Sequence, residues 1–495
     1  MEKYLFIINK VAIYSCVGVL LLGIFGCVGS RHLEPNFKPA SLVVKGPYFV
    51  APSKSPFAGS CGLESEPGFF YPPDAETDAL IVVNPNAPNN IVCAFMQDHC
   101  VAVSIATSDD YGMTWRAVLP PELSSCTGGV DECYGDQSIA VEPDGTMHLL
   151  SVVGSMSPPE GNPVTWSATG EVTFDVMVIA HRSTDGGKTW AGPVVVSPKG
   201  EYQHNTQVAV DPNIRGRIYC AWCTTTRNIH RSPGHLEDGY AYVSRSDDSG
   251  LSWGTPVKVT KIEYEADIEY VTDLKVLKSG AVVLSTEHET IISKNGGDSW
   301  SEARPLGVQS SSRWSAHPEA RSGFALSAGE RPLAVGPNGD LYQVGPDVNG
   351  ETGTGEVWIA RSIDEGASWE TPRVVAKSDG LVFSTHCAVA PDGTIGVMWY
   401  DTRENVLGDK EITTHVFFAV SKNDGESWTE IQLSEPFDMN QAALIFGKLL
   451  YLGNYQSLVP TGGHDFAAAF AVAPPVALAG AADIQFARIN VPEMN

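Results

Sequence analysis

One eight-residue pattern returns six times in this chain: SDDYGMTW (108–115), STDGGKTW (183–190), SDDSGLSW (246–253), SKNGGDSW (293–300), SIDEGASW (362–369) and SKNDGESW (421–428). Every copy has Ser first, Asp or Asn third, Gly fifth, Thr or Ser seventh and Trp eighth, and successive copies start 75, 63, 47, 69 and 59 residues apart. Intervals of that length are those of a supersecondary unit, so the chain is an array of similar units. The pattern has the chemistry of a tight turn. Asp or Asn accepts backbone N–H groups and Gly takes a backbone angle that other residues resist. The hydroxyls add local hydrogen bonds, and Trp offers a large apolar face to a neighbouring unit.

Alternating apolar runs lead into the copies, among them VAVSIATS, VMVIAHRS, AYVSRS, VWIARS and VFFAVS, and they read as strands. Short β-prone runs such as VVVSP and RVVA follow several copies. Further upstream lie paired runs joined by an Asn-, Asp- or Gly-bearing turn, as in IAVEPDGTMHLLSV and CAVAPDGTIGVMWY. Two hairpins per repeat make a four-stranded sheet with the pattern at its third-to-fourth-strand turn. Radially repeated, such sheets make an all-β propeller.

The pattern resembles the Asp-box of the bacterial neuraminidase repeat, found in sialidases and sialidase-like propellers, and the resemblance spans roughly residues 75–490. Six boxes leave a tail. YLGNYQSLVP, DFAAAFAVAP and DIQFARINV (451–492) supply three more strands, and SLVVKGPYFVA (41–51) supplies a fourth. Joining the two ends closes a ring of seven four-stranded blades and removes exposed sheet edges; six blades is the alternative.

The first residues carry an address. Lys3 and Lys10 flank an apolar run that ends at Ile24-Phe25-Gly26-Cys27, which resembles a bacterial lipoprotein signal. The expected organisation is a signal peptide (1–26), a tether (27–40) lipidated at Cys27, and a single propeller domain (41–495). An uncleaved membrane anchor is the alternative. Either way the propeller is exported, and the lipoprotein form places it on a membrane of the bacterial cell envelope, as a monomer. Eight cysteines remain after Cys16 and Cys27, an even number that suits disulfides in an exported chain. Cys126–Cys133 and Cys93–Cys100 are the expected local pairs. With Asp+Glu 58 against Lys+Arg 32, the net charge of −26 argues against a nucleic-acid partner. The twelve His show no metal-ligand spacing, so no metal and no cofactor are expected.

Propeller ligands bind where the axis opens, here on the face opposite the boxes. The resemblance implies a glycan or glycoconjugate partner and an exo-acting glycoside hydrolase. Its expected parts are an Asp acid/base, a Tyr nucleophile activated by an acid, and arginines that grip an anionic sugar. By position, Asp98 matches the acid/base and Tyr455 the nucleophile, with Glu287 or Asp273 as the activating acid. Arg403 matches one arginine, and Asp401, Tyr400, Arg227, His386 and Asp136 join it as candidate substrate contacts. The pattern is incomplete. EPGFFYPPDAETDALIVV (66–83) has no arginine where the family has one, and Glu287-His288-Glu289 stands where another belongs. Each candidate also has a plainer role: a turn acid for Asp98, strand-start packing for Tyr455, a loop-bracing ion pair for Asp401 and Arg403. A non-catalytic propeller that binds glycan or protein is the alternative function.

Overall fold

Each of the six boxes folds as the turn between the third and fourth strands of a blade. In the first, Ser108 Oγ accepts the Gly112 N–H at 2.9 Å and donates to Asp110 Oδ1 at 2.8 Å. Asp110 in turn accepts the Thr114 N–H at 2.9 Å and its hydroxyl at 2.6 Å. The same bonds recur around Asp185, Asp248 and Asp364. Where Asn replaces Asp, the seventh-position hydroxyl changes from donor to acceptor, receiving Asn295 Nδ2 or Asn423 Nδ2. The fifth-position glycines have positive φ, as expected. So do the non-glycine fourth residues Tyr111, Ser249, Glu365 and Asp424, a requirement that no residue type announces.

The structure is a computed structural model that describes residues 42–493 apart from 51–54, 58–73, 99–100, 132, 158–172, 201, 226–238, 263–270, 307–331, 349–353, 407–409, 446–448 and 474–481. Leu42–Asn495 forms one compact unit. The signal and tether with Cys27, the loop with Arg227, and Cys100 lie outside the described residues.

Seven four-stranded antiparallel sheets form the blades of a propeller. Their innermost strands are Glu76–Val83 (blade I), Cys133–Val141 (II), Tyr202–Val210 (III), Val271–Val276 (IV), Leu333–Val335 (V), Val382–Val389 (VI) and Ser457–Gly462 (VII). Each touches the next, and the last returns to the first, so the ring is closed. Blade VII has no box. Its outermost strand is Val43–Phe49, which pairs antiparallel with Asp483–Asn490 in a register running from Val43 opposite Asn490 to Phe49 opposite Gln485. The two ends of the chain thus complete the seventh blade, as the tail strands had implied.

The apolar core is divided as the ring is. Seven buried clusters fill the seven spaces between successive blades. The alanine run of blade VII brings Ala467 and Ala469 to one neighbour and Ala468 and Ala471 to the other, so both faces of that strand are buried. A polar clamp supplements the core near the boxes of blades II and III. There Glu142, fully buried, lies 2.8 Å from His148 Nε2 and accepts the Gly216 N–H at 2.9 Å.

The expected disulfides are not formed. Cys93 and Cys133 are free thiols, and Cys126 is disulfide-bonded, but not to Cys133. Cys93 sits inside the second strand of blade I, fully buried among the side chains between blades I and VII.

Candidate functional site

The innermost strands share a local irregularity. Register shifts fall between Thr77 and Leu80, Gly135 and Ser138, His204 and Gln207, Val271 and Asp273, and Phe383 and His386. In four blades the first bulged residue has positive φ: Asp78 at 60°, Asp136 at 44°, Asn205 at 54° and Ser384 at 46°. A bulge re-aims a side chain that regular alternation would bury between sheets. Each lies near the start of its strand, the end away from the boxes, so the bulges ring the mouth of the axis. Asp and Asn are the side chains that tolerate this backbone, which accounts for their recurrence in ETDALIVV, CYGDQSIAV and YQHNTQVAV.

Neighbouring bulges bond across the ring. Gln137 Nε2 donates to the Asp78 carbonyl at 2.7 Å, Asn205 N–H to Asp136 Oδ2 at 3.1 Å, and the Thr206 hydroxyl to the Asp136 carbonyl. Blade VII completes the contact through the segment entering it. There Asn454 N–H (2.5 Å) and Tyr455 N–H (3.0 Å) reach Asp78 Oδ1, and the Tyr451 hydroxyl reaches Asp78 Oδ2 at 3.0 Å. Gly453 makes that approach feasible. It has φ +98°, and a Cβ there would stand 2.4 Å from the Asp78 nitrogen.

The two axial carboxyls differ in how many donors they accept. Asp78 is fully buried, and burial pushes its pKa up. Four donors oppose that, from Tyr455, Asn454, Thr77 and Tyr451, and stabilise the carboxylate. Among the described residues, Asp136 has the Asn205 N–H as the one donor to its carboxylate. Burial, with a smaller contribution from the Asp78 charge, raises its pKa to about 6. Burial thus raises both groups: Asp78 against four donors that include a phenol, and Asp136, to about 6, against a single backbone N–H among the described residues. Two buried carboxyls with raised pKa values beside a phenol mark a candidate acid/base site.

The candidates named from sequence fall into several places. Asp136 and Tyr455 lie at the mouth, Tyr455 buried and bonded through its N–H to Asp78. Asp98, also buried, accepts the Ala75 N–H at 3.2 Å and the Gln97 amide at 3.0 Å. That amide also holds Glu76 at 2.9 Å, so Asp98 belongs to a carboxyl cluster with Glu76 at the seam of blades I and VII. Burial raises Glu76 to about 9 there, with Asp483 and Asp98 adding to the rise. Glu287 is buried at the end of the second strand of blade IV, well round the ring from Asp98.

Arg403 runs along its own blade. It donates to Asp401 Oδ2 at 2.6 and 2.9 Å and to Glu430 Oε1 at 2.6 Å, and its guanidinium lies 4.0 Å from the Phe417 ring. Asp401 is fully buried and also takes Ser378 Oγ and Trp399 Nε1. The Tyr400 hydroxyl donates to the Ala471 carbonyl at 2.7 Å, and burial pushes its pKa well up. His386, on the innermost strand of blade VI, is lowered to about 3 by burial and by Lys275, so it is neutral at physiological pH. Sequence reading missed Asp78, Asn205 and Tyr451. The signal for the first two was a column: Asp78, Asp136 and Asn205 each stand two or three residues into the run that forms the innermost strand. Among the described residues no group of three or more His, Cys, Asp or Glu is arranged to hold a metal ion.

No family model matches this chain, and no curated protein does. Several solved structures are similar to it. One is a protein of unknown function from Dyadobacter fermentans, at 15% identity and a TM-score of 0.44, covering 72% of this chain and 95% of that one. The Hadza microbial sialidase Hz136 aligns at 14% identity and 0.43, covering 81% and 74%. An α-L-arabinanase from Penicillium chrysogenum, complexed with arabinobiose, aligns at 13% identity and 0.40, covering 90% and 98%.

Proposed function

We propose that this chain is an exo-acting glycoside hydrolase working at the axial mouth. The observation that carries the reading is the pair of buried axial carboxyls, Asp78 accepting the Tyr451 hydroxyl at 3.0 Å and Asp136 raised by burial to about 6. In this reading Asp136 protonates the glycosidic oxygen as the bond to the leaving group breaks. The Tyr451 oxygen attacks the anomeric carbon while its proton passes to Asp78, giving a glycosyl–tyrosine intermediate. A water then attacks that carbon, its proton goes to Asp136, and the phenol recovers its own from Asp78. A neutral phenol suits a site already holding carboxylates, because a third carboxylate would raise the local charge further. Tyr455 and Asn454 position Asp78 through their N–H groups. Export with a lipid on Cys27 is part of the same proposal and rests on the apolar run that ends there.

The second reading is a non-catalytic propeller that binds glycan at the same mouth. Arg403 favours it, since Asp401 and Glu430 already engage its guanidinium. Hydrolysis of a panel of fluorogenic glycosides, a sialoside included, separates the two. The enzyme reading expects release of one sugar, lost in Tyr451→Phe and Asp136→Asn while thermal stability holds, with Asp98→Ala and Tyr455→Phe run beside them. Silence across the panel from a folded protein, with glycan binding that Asp136→Asn weakens, establishes the binder. The lipid is checked by the mass of the mature N-terminal peptide, with Cys27→Ser as control.

A further inference from the structure

The box face carries two grooves that the axial site does not use. One, of about 460 Å³, lies between the boxes of blades III and IV. The other, of about 370 Å³, lies between those of blades IV and V. They are built alike, one blade apart. Each is walled on one side by a box tryptophan (Trp253; Trp300) and on the other by the next box (Gly296 to Asp298; Ala367). Each also has the seventh-position hydroxyl of its own box, Ser252 or Ser299, and one guanidinium, Arg245 or Arg304. The turns are complete without these grooves, because the box hydrogen bonds close on themselves.

From this repetition we infer that the box face is a second glycan-binding surface, taking a neutral polysaccharide whose successive units lie in the two grooves. An indole edge or face beside hydroxyl and guanidinium groups, with carboxylates added in the first groove and the Asn295 amide in the second, matches a sugar ring, which is apolar across its C–H face and polar round its rim. The charges point to a neutral polymer. In the first groove Arg245 is already paired with Asp247 and Asp298, in the second Lys294 is paired with Glu365 at 3.3 Å, and the chain as a whole carries −26, so a polyanion gains little there. Two like grooves at a fixed spacing suit a ligand that repeats, since the second contact forms at the high effective concentration set by the first. The surface faces away from the axial mouth, so it holds a polymer without occupying the proposed active site.

The test is titration of the propeller with soluble neutral polysaccharides (a β-glucan, a mannan, an arabinan and a galactan), read by affinity electrophoresis and by tryptophan fluorescence. Thr255→Tyr fills the first groove from an exposed position, and Arg304→Ala opens the second without removing a packed side chain. One polymer is expected to bind and quench fluorescence, each variant to weaken it about tenfold, and the pair to lose the gain from bivalency. The monosaccharide should bind far more weakly. Unchanged melting temperatures would assign the loss to the grooves. Binding that survives the double variant, or no binding of any of the four polymers, overturns the inference. Asp136→Asn should leave polymer binding intact, so failure at the mouth and failure at the box face are read separately.

Discussion

Asp136→Asn probes the axial site through both stability and turnover. Folding raises the Asp136 pKa from the ordinary 3.8 to about 6, a difference worth about 3 kcal/mol between the protonated and ionised forms. For a raised carboxyl the folded state holds its proton more tightly than the unfolded chain. The stability linked to that proton is fully present below about pH 4 and is lost as pH rises through about 6. Asn keeps the shape, can turn its carbonyl oxygen to the Asn205 N–H, and does not ionise. The variant's unfolding free energy, measured in urea from pH 4 to pH 8, should therefore lack the wild-type decline of about 3 kcal/mol assigned to this group. At pH 8 the variant should be the more stable protein. If Asp136 is the general acid, the kcat/KM profile of the wild type breaks near pH 6, and the variant loses about 100-fold or more in kcat. Identical stability slopes would refute the electrostatic account of Asp136. An unchanged kcat would remove its catalytic role.

Arg403→Ala should unfold in urea with a loss of about 3–5 kcal/mol, because it leaves the fully buried Asp401 carboxylate without its partner. If its role is bracing, turnover by the folded fraction will be unchanged. Glu142→Ala, which strips the blade II–III clamp from His148 and Gly216, should cost a similar amount in the same assay. Gly112→Ala combines positive φ with a Cβ 2.1 Å from the Phe486 ring, whereas Gly393→Ala has the same backbone problem and open space. The first should lower stability by several kcal/mol and the second by only about 1 kcal/mol, compared by thermal melting. Alkylation of the unreduced, denatured chain followed by peptide mapping should label Cys93, Cys133, Cys220, Cys223 and Cys387 but not Cys126.

The sequence by itself determined the repeating unit, the class of fold and the way the ring closes. A turn writes its requirements into adjacent residues, so Ser, Asp, Gly, Thr and Trp at fixed spacing announce it six times, and alternation marks the strands between. Blade VII followed from counting strands. What the sequence left open depends on residues that are far apart along the chain. Asp78 and Tyr451 are 373 positions apart and meet only because the ring closes. The bulges that aim Asp78, Asp136 and Asn205 at the axis leave a faint column in the sequence, legible once the innermost strands are superposed. The Arg403–Asp401 ion pair was legible as a loop brace, two residues apart, whereas the second partner, Glu430, was decided by the way the blade folds back on itself. Cys93 and Cys133 show the same limit, since proximity in sequence promised pairs that are not formed, and Cys93 is locked inside a buried strand. Local chemistry fixes turns and strands. Which charged groups meet, and therefore which of them can titrate near neutral pH, is set by contacts that only the closed ring provides.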